Sequence, residues 1–425
     1  MAKRIAAIIF IFLCTSAAWM ILGGTIMART ENFGPTLREH VSSTWGTPQA
    51  QVPPTADYKT EVERKTEKEV DGRKIVEHYK DVETTVLPIQ ASEIKVNLDL
   101  EHRQKGLLWY ATYKVDFAGD YTFRNDSDSP KTVTLRFAFP TEKAMYDNFQ
   151  ILANGEKLTA DNSPGAATAS VVVPAKSPVI FSIAYKSQGI DRWSYHFGDQ
   201  VSQVRNFALQ MNTNFSGIDF ADNTLSPTEK QESSGGWLLT WRYTNLLSGY
   251  DIGMIMPEKL QPGPLAGQIS FFAPVSLFFF FFLMIIITTM RDIDLHPMNY
   301  FFLATAFFAF HLLMAYLVDH ISIHLAFIIS SVVSIFLVVS YLRLVVGMRF
   351  AAVEAGISQF IYLVLFSYAF FFKGFTGLAV TIGSIITLFV VMQMTGRIKW
   401  ADKFAKVNLP RIPRTNPANG TSMLD

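Results

Sequence analysis

The sequence predicts an integral membrane protein with six transmembrane α-helices, one before and five after a large extracytoplasmic domain resembling an antiparallel β-sandwich. Three observations predict this fold. The last third of the chain holds five apolar runs of about 18–24 residues each, and a bilayer core needs about 20 helical residues to cross. A sixth apolar run lies near the amino terminus, and the residues between follow a polar, alternating pattern.

The five distal runs define a transmembrane domain over residues 267–400, with short polar breaks between the helices. A soluble domain does not need five such runs in series, so contact with lipid explains them best. The predicted helices extend over residues 267–290, 299–317, 325–342, 355–372 and 378–394.

The amino terminus presents two alternatives, a cleaved signal peptide or an uncleaved anchor. Lys3 and Arg4 precede an apolar run that ends at Ala28. The run is longer than the apolar core of a signal peptide, which spans about 7–15 residues. Ile26 is also bulky for the −3 position of a cleavage site. We therefore expect residues 1–28 to form a transmembrane anchor.

Basic residues predict how the chain is oriented. With the amino terminus in the cytoplasm, residues 29–266 lie on the opposite side and both termini are cytoplasmic. The short outer loops then hold one cation, Lys373. The short inner segments hold many: Lys3, Arg4, Arg291, Arg343, Arg349, Arg397, Lys399, Lys403, Lys406, Arg411 and Arg414. This asymmetry follows the positive-inside rule.

Residues 29–57 contain four prolines and predict a linker or a membrane-proximal arm before the external domain, residues 58–266. Residues 58–86 are highly charged and contain Asp71-Gly72, which favours a β-hairpin, with a solvated helix over residues 61–70 as the alternative. Farther on, Ile94, Val96 and Leu98 alternate with polar residues, as in a half-buried strand. Residues 401–425 predict a basic cytoplasmic tail along the lipid surface.

Composition and motifs exclude several functions. The net charge of +1 predicts no nucleic-acid partner, and the single Cys14 excludes an intramolecular disulfide or a cysteine-based metal site. The sequence contains no phosphate-binding glycine loop, His-Glu-x-x-His or Gly-x-Ser-x-Gly. We therefore predict no catalytic residues, no cofactor and no metal.

Two polar breaks between helices carry candidate functional residues. Asp292, Asp294 and His296 precede Pro297, which indicates either a cation or proton site or simple helix capping. Asp319, His320 and His324 follow the next helix. The spacing of the two histidines suits zinc on a helix, whereas a turn at this point would give only interfacial polarity.

His311 lies near the middle of a predicted transmembrane helix, where ionisable groups are costly and often functional. The alternative is a neutral histidine bonded to a neighbouring helix through Ser330, Ser331, Ser334, Gln359 or Tyr362. In the last helix, Ala379 and Gly383 have the small-xxx-small spacing of close helix contacts, within the bundle or between protomers.

Several segments resemble motifs of one protein family. These segments are Leu295-His296-Pro297-Met298-Asn299-Tyr300, Val318-Asp319-His320-Ile321, residues 325–329, residues 377–388 with the basic exit Arg397-Ile398-Lys399-Trp400, and, more loosely, residues 103–113. The family is CreD, the bacterial inner membrane proteins. The resemblance implies a multi-pass protein of the inner membrane with residues 29–266 in the periplasm, and it makes Tyr300, with His296, Pro297, Asp319 and His320, family-motif residues.

The resemblance also implies a role in cell-envelope integrity or the envelope stress response, without an established biochemical activity. We therefore expect a non-enzymatic protein whose periplasmic β domain binds an envelope component or a protein partner, while its helices contact the bilayer. The alternative is a transporter or channel with a polar path through the five-helix bundle, and a third hypothesis is an envelope hydrolase. The oligomeric state is left open.

Overall fold

The computed structural model describes residues 2–70, 73–198, 202–372 and 374–396. The chain divides into two compact units. The helix block comprises Met1–Glu31 and Gln261–Asp425, and the β domain comprises Asn32–Leu260. The basic tail predicted over residues 401–425 lies outside the described residues, as do Lys373 and the basic exit from Arg397.

Within the described residues, six helices are long and apolar enough to cross a membrane, which confirms the predicted number. They are α1 Ala2–Trp45, α2 Pro262–Met290, α3 Pro297–Leu317, α4 Ile323–Val345, α5 Phe350–Phe371 and α6 Thr376–Thr395. Helix α5 is irregular, because Phe350–Ala355 and Phe360–Leu365 are π-helical turns. Such turns widen a helix locally and are frequent at functional sites.

The linker predicted over residues 29–57 is wrong, because α1 continues to Trp45 and strands begin soon after it. Pro35 lies inside this helix, where it removes one backbone hydrogen bond, and it therefore suggested a break. Packing overrides that local cost. Val41 and the half-buried Leu37 pack on the β domain in a small apolar cluster with Leu108, Tyr110 and Ile190.

Sixteen strands form the β domain in the part of the chain that the structure describes. They are β1 Gln49–Gln51, β2 Thr55–Val70, β3 Arg73–Leu87, β4 Ala91–Lys105, β5 Leu108–Arg124, β6 Lys131–Ala138, β7 Asp147–Ala153, β8 Glu156–Lys157, β9 Asp161–Ser163, β10 Ala166–Val173, β11 Pro178–Ile190, β12 Arg192–Tyr195, β13 Ser202–Thr213, β14 Glu229–Ser233, β15 Gly236–Ser248 and β16 Ile252–Ile255.

These strands form three sheets among the described residues. The largest has the order β14-β15-β13-β4-β5-β11-β7-β8, the second β3-β2-β6-β10-β9, and the third β1-β12-β16. Most neighbours are antiparallel, as predicted. However, β1 pairs with β12 and β4 pairs with β13 in parallel, so the first and third sheets are mixed. The two strands of each parallel pair are far apart in the sequence and need a long connection. The alternation of residues along one strand does not show which strand it pairs with, so the sequence did not predict these parallel pairs.

The core of the β domain lies between the two larger sheets, which gives the predicted sandwich character. Phe117 on β5 stacks on Tyr185 of β11 with ring centroids 4.9 Å apart. Both rings approach Phe137 of β6 in the other sheet, at 6.5 Å and 6.1 Å. Along β4, Ile94, Val96 and Leu98 are buried and the residues between them exposed, as the alternation predicted.

Strands β2 and β3 form the predicted hairpin, which excludes the alternative helix over residues 61–70. Their pairing runs from Ala56–Leu87 to Val70–Arg73, and the Asp71-Gly72 turn lies outside the described residues. Only Thr55 to Tyr58 of β2 pair with β6. The remaining length, residues 59–83, is called the hairpin arm below.

Candidate functional site

A layer of buried polar side chains crosses the middle of the helix block. Two hydrogen bonds between the antiparallel helices α3 and α4 show which residues of the two helices lie side by side. The Tyr341 hydroxyl donates to Asn299 Oδ1 at 2.7 Å, and the Ser334 hydroxyl donates to the Ala306 carbonyl at 2.6 Å. The polar layer is defined as Ser16, Trp19, Ser276, His311, Ser330, Ser334, Gln359, Tyr362 and Thr387, so all six helices contribute to it.

Helix α5 connects two hydrogen-bonded branches of the polar layer. Gln359 Nε2 donates to Ser334 Oγ at 2.7 Å and so joins α5 to α4. One turn later, the Tyr362 hydroxyl donates to Thr387 Oγ of α6 at 2.9 Å, while Ser276 of α2 donates to the Tyr362 carbonyl. Side chains are therefore positioned by bonds across helices, which is the usual role of small polar residues in a membrane bundle.

His311 is fully buried on α3 and does not make the inter-helix bond that the packing interpretation required. Its Nδ1 atom lies 3.0 Å from the Phe307 carbonyl of its own helix, and its ring lies against Phe310 and Trp19. Of the expected partners, Ser334 and Tyr362 bond elsewhere. Ser331 donates to the Phe327 carbonyl one turn back.

Several polar atoms of the layer have no hydrogen-bond partner among the described residues. They are Ser16 Oγ, Trp19 Nε1, His311 Nε2, Ser330 Oγ and Gln359 Oε1. An unsatisfied polar atom costs several kcal/mol in hydrocarbon, about the scale of a lost backbone bond there. Five such atoms within the polar layer indicate a role beyond helix packing.

The break between α2 and α3 contains an ion pair and a helix cap. The Asp294 carboxylate pairs with Arg4 of α1 at 2.6 Å, and His296 Nδ1 accepts from the Met298 amide at 3.2 Å. Pro297 is the first residue of α3, where its missing amide hydrogen costs nothing. Tyr300 is buried with its ring 5.2 Å from Phe281. These contacts favour capping and pairing over a cation site.

The turn between α3 and α4 contains the other motif residues. Asp319 lies 3.4 Å from Arg29 of α1, and His320 is exposed. The His324 ring lies 5.2 Å from the Phe371 ring. The described residues contain no group of three or more His, Cys, Asp and Glu side chains that could hold a metal ion. The contacts of Asp319 and His324 are of the kind that the interfacial alternative predicts.

Helix α1 belongs to the helix block through contacts that the sequence reasoning missed. Gly23 lies so close to α2 that a Cβ atom there would be 3.2 Å from the Phe271 amide nitrogen. Gly267 is the matching position on α2, since its own Cβ would be 3.2 Å from Met27. Two facing glycines bring helix backbones together. The adjacent glycines in the first apolar run were the available signal.

A groove of about 350 Å³ lies between α2, α5 and α6, at the level of Tyr362 and Thr387. Ala379 and Gly383 line it, together with apolar side chains. A Cβ atom on Gly383 would meet no described atom within 4 Å, so this spacing does not mark a close contact within the bundle. The alternative, contact between protomers, stays a prediction.

In the β domain, the β4–β5 hairpin holds the two segments that lead to the helices. The Arg103 guanidinium lies 3.5 Å from the centre of the Trp45 ring at the end of α1. His102 Nε2 lies 2.8 Å from the Pro257 carbonyl, and Lys259 Nζ lies 4.3 Å from the Trp109 ring. The segment over residues 103–113, singled out by its resemblance, therefore fastens the ends of the domain.

The family described as inner membrane protein CreD matches residues 270–401. No curated protein matches the chain.

Among solved structures, a nutrient binding protein from Legionella pneumophila is similar at 11% identity and a TM-score of 0.30, over 45% of this chain and 72% of its own. An M1 zinc metallopeptidase mutant from Deinococcus radiodurans, bound to a Tyr-Ser-Ala substrate, is similar at 10% identity and a TM-score of 0.26, over 40% and 42%. These scores carry no argument about function. The segment that matches the CreD model, residues 270–401, includes the helix motifs that resemble this family, so the predicted resemblance is confirmed over those residues.

Proposed function

We propose that this protein is a non-enzymatic component of the bacterial inner membrane whose β domain lies in the periplasm and binds an envelope component or a partner protein there. Through that binding it contributes to envelope integrity or to the envelope stress response. Both termini are cytoplasmic in this proposal, following the positive-inside rule. The helix block holds the protein in the bilayer.

The observation that carries the proposal is the hairpin arm. The part of it that the structure describes has no partner strand beyond Tyr58 on β2, and β3 forms the edge of its sheet. Arg64 pairs with Asp81 at 3.0 Å and Lys80 with Glu61 at 3.1 Å, both exposed. A two-stranded ribbon is marginally stable in water, so a ribbon of this length is best explained by a partner that it contacts.

Shortening the arm tests the proposal. We expect deletion of residues 61–81, rejoined through a two-residue turn, to abolish function in a strain that lacks the native protein, without lowering the amount of protein in the membrane. Growth under detergent or osmotic stress is the measurement. The control is the loss of an exposed ion pair elsewhere on the domain, Lys176→Gln with Asp128→Asn. Normal stress resistance of the arm deletion would contradict the proposal.

The orientation has its own test. Replacing Cys14 by Ser and adding a cysteine at exposed Val172 gives a protein with one thiol. An impermeant maleimide should label it in spheroplasts. A cysteine at Asp294, between α2 and α3, should react only after lysis. The reverse pattern would overturn the periplasmic placement and leave the role of the arm open.

A transporter or channel is the second candidate, and the unpartnered atoms of the polar layer favour it. Transport through the layer requires His311, whereas a purely periplasmic role does not. A His311→Leu variant that keeps full function in the stress assay would argue against a polar path.

A further inference from the structure

Two side chains of the polar layer are in contact through their rings and have complementary polar groups. Trp19 of α1 and His311 of α3 are both fully buried, with ring centroids 5.7 Å apart and ring planes at 83°. Trp19 Nε1 and His311 Nε2 each have no hydrogen-bond partner among the described residues. Each nitrogen is a polar atom in the interior of the helix block, where an unmade hydrogen bond is costly.

The tautomer of His311 follows from its other nitrogen. His311 Nδ1 lies 3.0 Å from the Phe307 carbonyl oxygen, which can only accept. Nδ1 must therefore carry the hydrogen. In the neutral imidazole, Nε2 then carries no hydrogen, and its lone pair can only accept a hydrogen bond. The Trp19 indole has one polar atom, Nε1–H, which only donates and needs an acceptor.

We propose that a single water molecule is bound between Trp19 and His311 in the interior of the helix block. The ligand must accept a hydrogen from Trp19 Nε1 and donate one to His311 Nε2. A cation cannot do the first and an anion cannot do the second, whereas water does both. A buried water usually makes about three hydrogen bonds.

Ser16 supplies the third partner. It lies three residues before Trp19 on the same face of α1, and its hydroxyl has no partner among the described residues. The water site is thus built mainly on α1 and completed by α3. Its α1 residues lie outside the segment that matches CreD, residues 270–401. The site does not depend on the proposed periplasmic role, because it concerns only how α1 is held in the helix block.

The experiment is solid-state NMR of the full chain in lipid bilayers, with ¹⁵N in histidine side chains and tryptophan indoles. The His311→Gln and Trp19→Phe variants assign the two signals. We expect magnetisation from water protons to reach His311 Nε2 and Trp19 Nε1 at short mixing times, with Nε2 shifted as a hydrogen-bond acceptor. In Trp19→Phe, the transfer to His311 should fall at least twofold.

The matched control is Trp193→Phe, a buried tryptophan of the β domain, which should leave the His311 signal unchanged. Two results would overturn the inference. One is an Nε2 signal without hydrogen bonding and without transfer from water, which would mean a dry contact. The other is a bonded Nε2 whose signal depends on Trp19 but receives no transfer from water, which would mean a direct Trp19–His311 bond. If a variant does not fold, the transfer from water protons in the native protein still shows whether a water molecule is bound.

Discussion

The β domain and the helix block satisfy their buried polar side chains in different ways. In the β domain, buried polar side chains bond across strands, as where Tyr185 donates to Gln51 at 2.8 Å and Tyr113 donates to the Arg192 carbonyl at 2.8 Å. In the helix block, many hydroxyls bond to a carbonyl one turn back in their own helix, such as Thr288 to Met284 and Thr387 to Gly383.

The difference has a physical cause. A strand makes its backbone hydrogen bonds to neighbouring strands. Side-chain hydrogen bonds between strands therefore add to hydrogen bonds that already join the strands. A membrane helix satisfies its own backbone, and a hydroxyl is cheapest when it bonds within the same helix. Polar bonds that cross helices in lipid are therefore informative. In this protein such bonds occur in the polar layer and between α1 and the loops that follow α2 and α3.

The largest effect is expected in the aromatic core of the β domain. Phe117→Ala removes a fully buried ring between Tyr185 and Phe137 and should lower the free energy of unfolding by about 3–5 kcal/mol. Hydrogen exchange with mass spectrometry on the full chain in detergent, across peptides of β5 and β11, measures it. Val172→Ala is the control, because Val172 is exposed and should change stability by less than about 0.5 kcal/mol. Equal effects would show that the core does not lie between the two larger sheets.

The contact of α1 with α2 should come next. Gly23→Leu places a side chain against the α2 backbone and should lower stability by about 1–3 kcal/mol, the usual cost of overpacking. Gly24→Leu is the matched control, since a Cβ atom there meets no described atom within 4 Å. Thermal unfolding in micelles, followed by helical circular dichroism, compares the two. If the variants melt alike, α1 is not packed as a sixth helix.

A smaller effect is expected from the polar layer. Ser334→Ala removes the acceptor of Gln359 and the donor to the Ala306 carbonyl, and should lower stability by about 0.6–1.7 kcal/mol. Ser340→Ala should be nearly neutral, because Ser340 bonds only to Leu337 of its own helix and is half-exposed. The same unfolding assay applies. A neutral Ser334→Ala would remove the contrast between bonds within and across helices.

The smallest effect on stability is expected from the ion pair between Arg38, near the end of α1, and Asp191 of the β domain. Burial raises the pKa of Asp191 above 3.8, the pairing with Arg38 lowers it in part, and the charge of Glu258 raises it. Because the folded-state pKa is raised, this group favours folding at low pH, and its contribution is lost as the pH rises through that pKa. Arg38→Met should raise the pKa further and move the loss to higher pH.

Carboxyl ¹³C NMR of Asp191 measures this change. Lys186→Met is the control, since Lys186 pairs with Asp116, 3.6 Å away, and should leave the Asp191 titration unchanged. An Asp191 pKa that falls or stays constant in Arg38→Met would mean that the ion pair does not form in solution.

Local patterns predicted the parts of the fold that depend on solvent. Long apolar runs located the helices, because hydrocarbon thickness sets their length, and alternation located β4, because one face of its sheet is buried. Local reasoning failed over residues 29–57, where prolines suggested a linker and α1 instead continues to Trp45. The docking of Leu37, Val41 and Arg38 on the β domain outweighs what Pro35 costs.

The sequence by itself determined which segments meet lipid and which carry strands, since these choices depend on the transfer of each segment from water. It also contains the motif residues that resemble CreD in the segment that the family model matches. Only the tertiary structure decided which polar atoms meet. The partner of Gln359, the facing glycines of α1 and α2, and the contact between the Trp19 and His311 rings depend on helix rotation and register. Side-chain packing sets both over long separations along the chain.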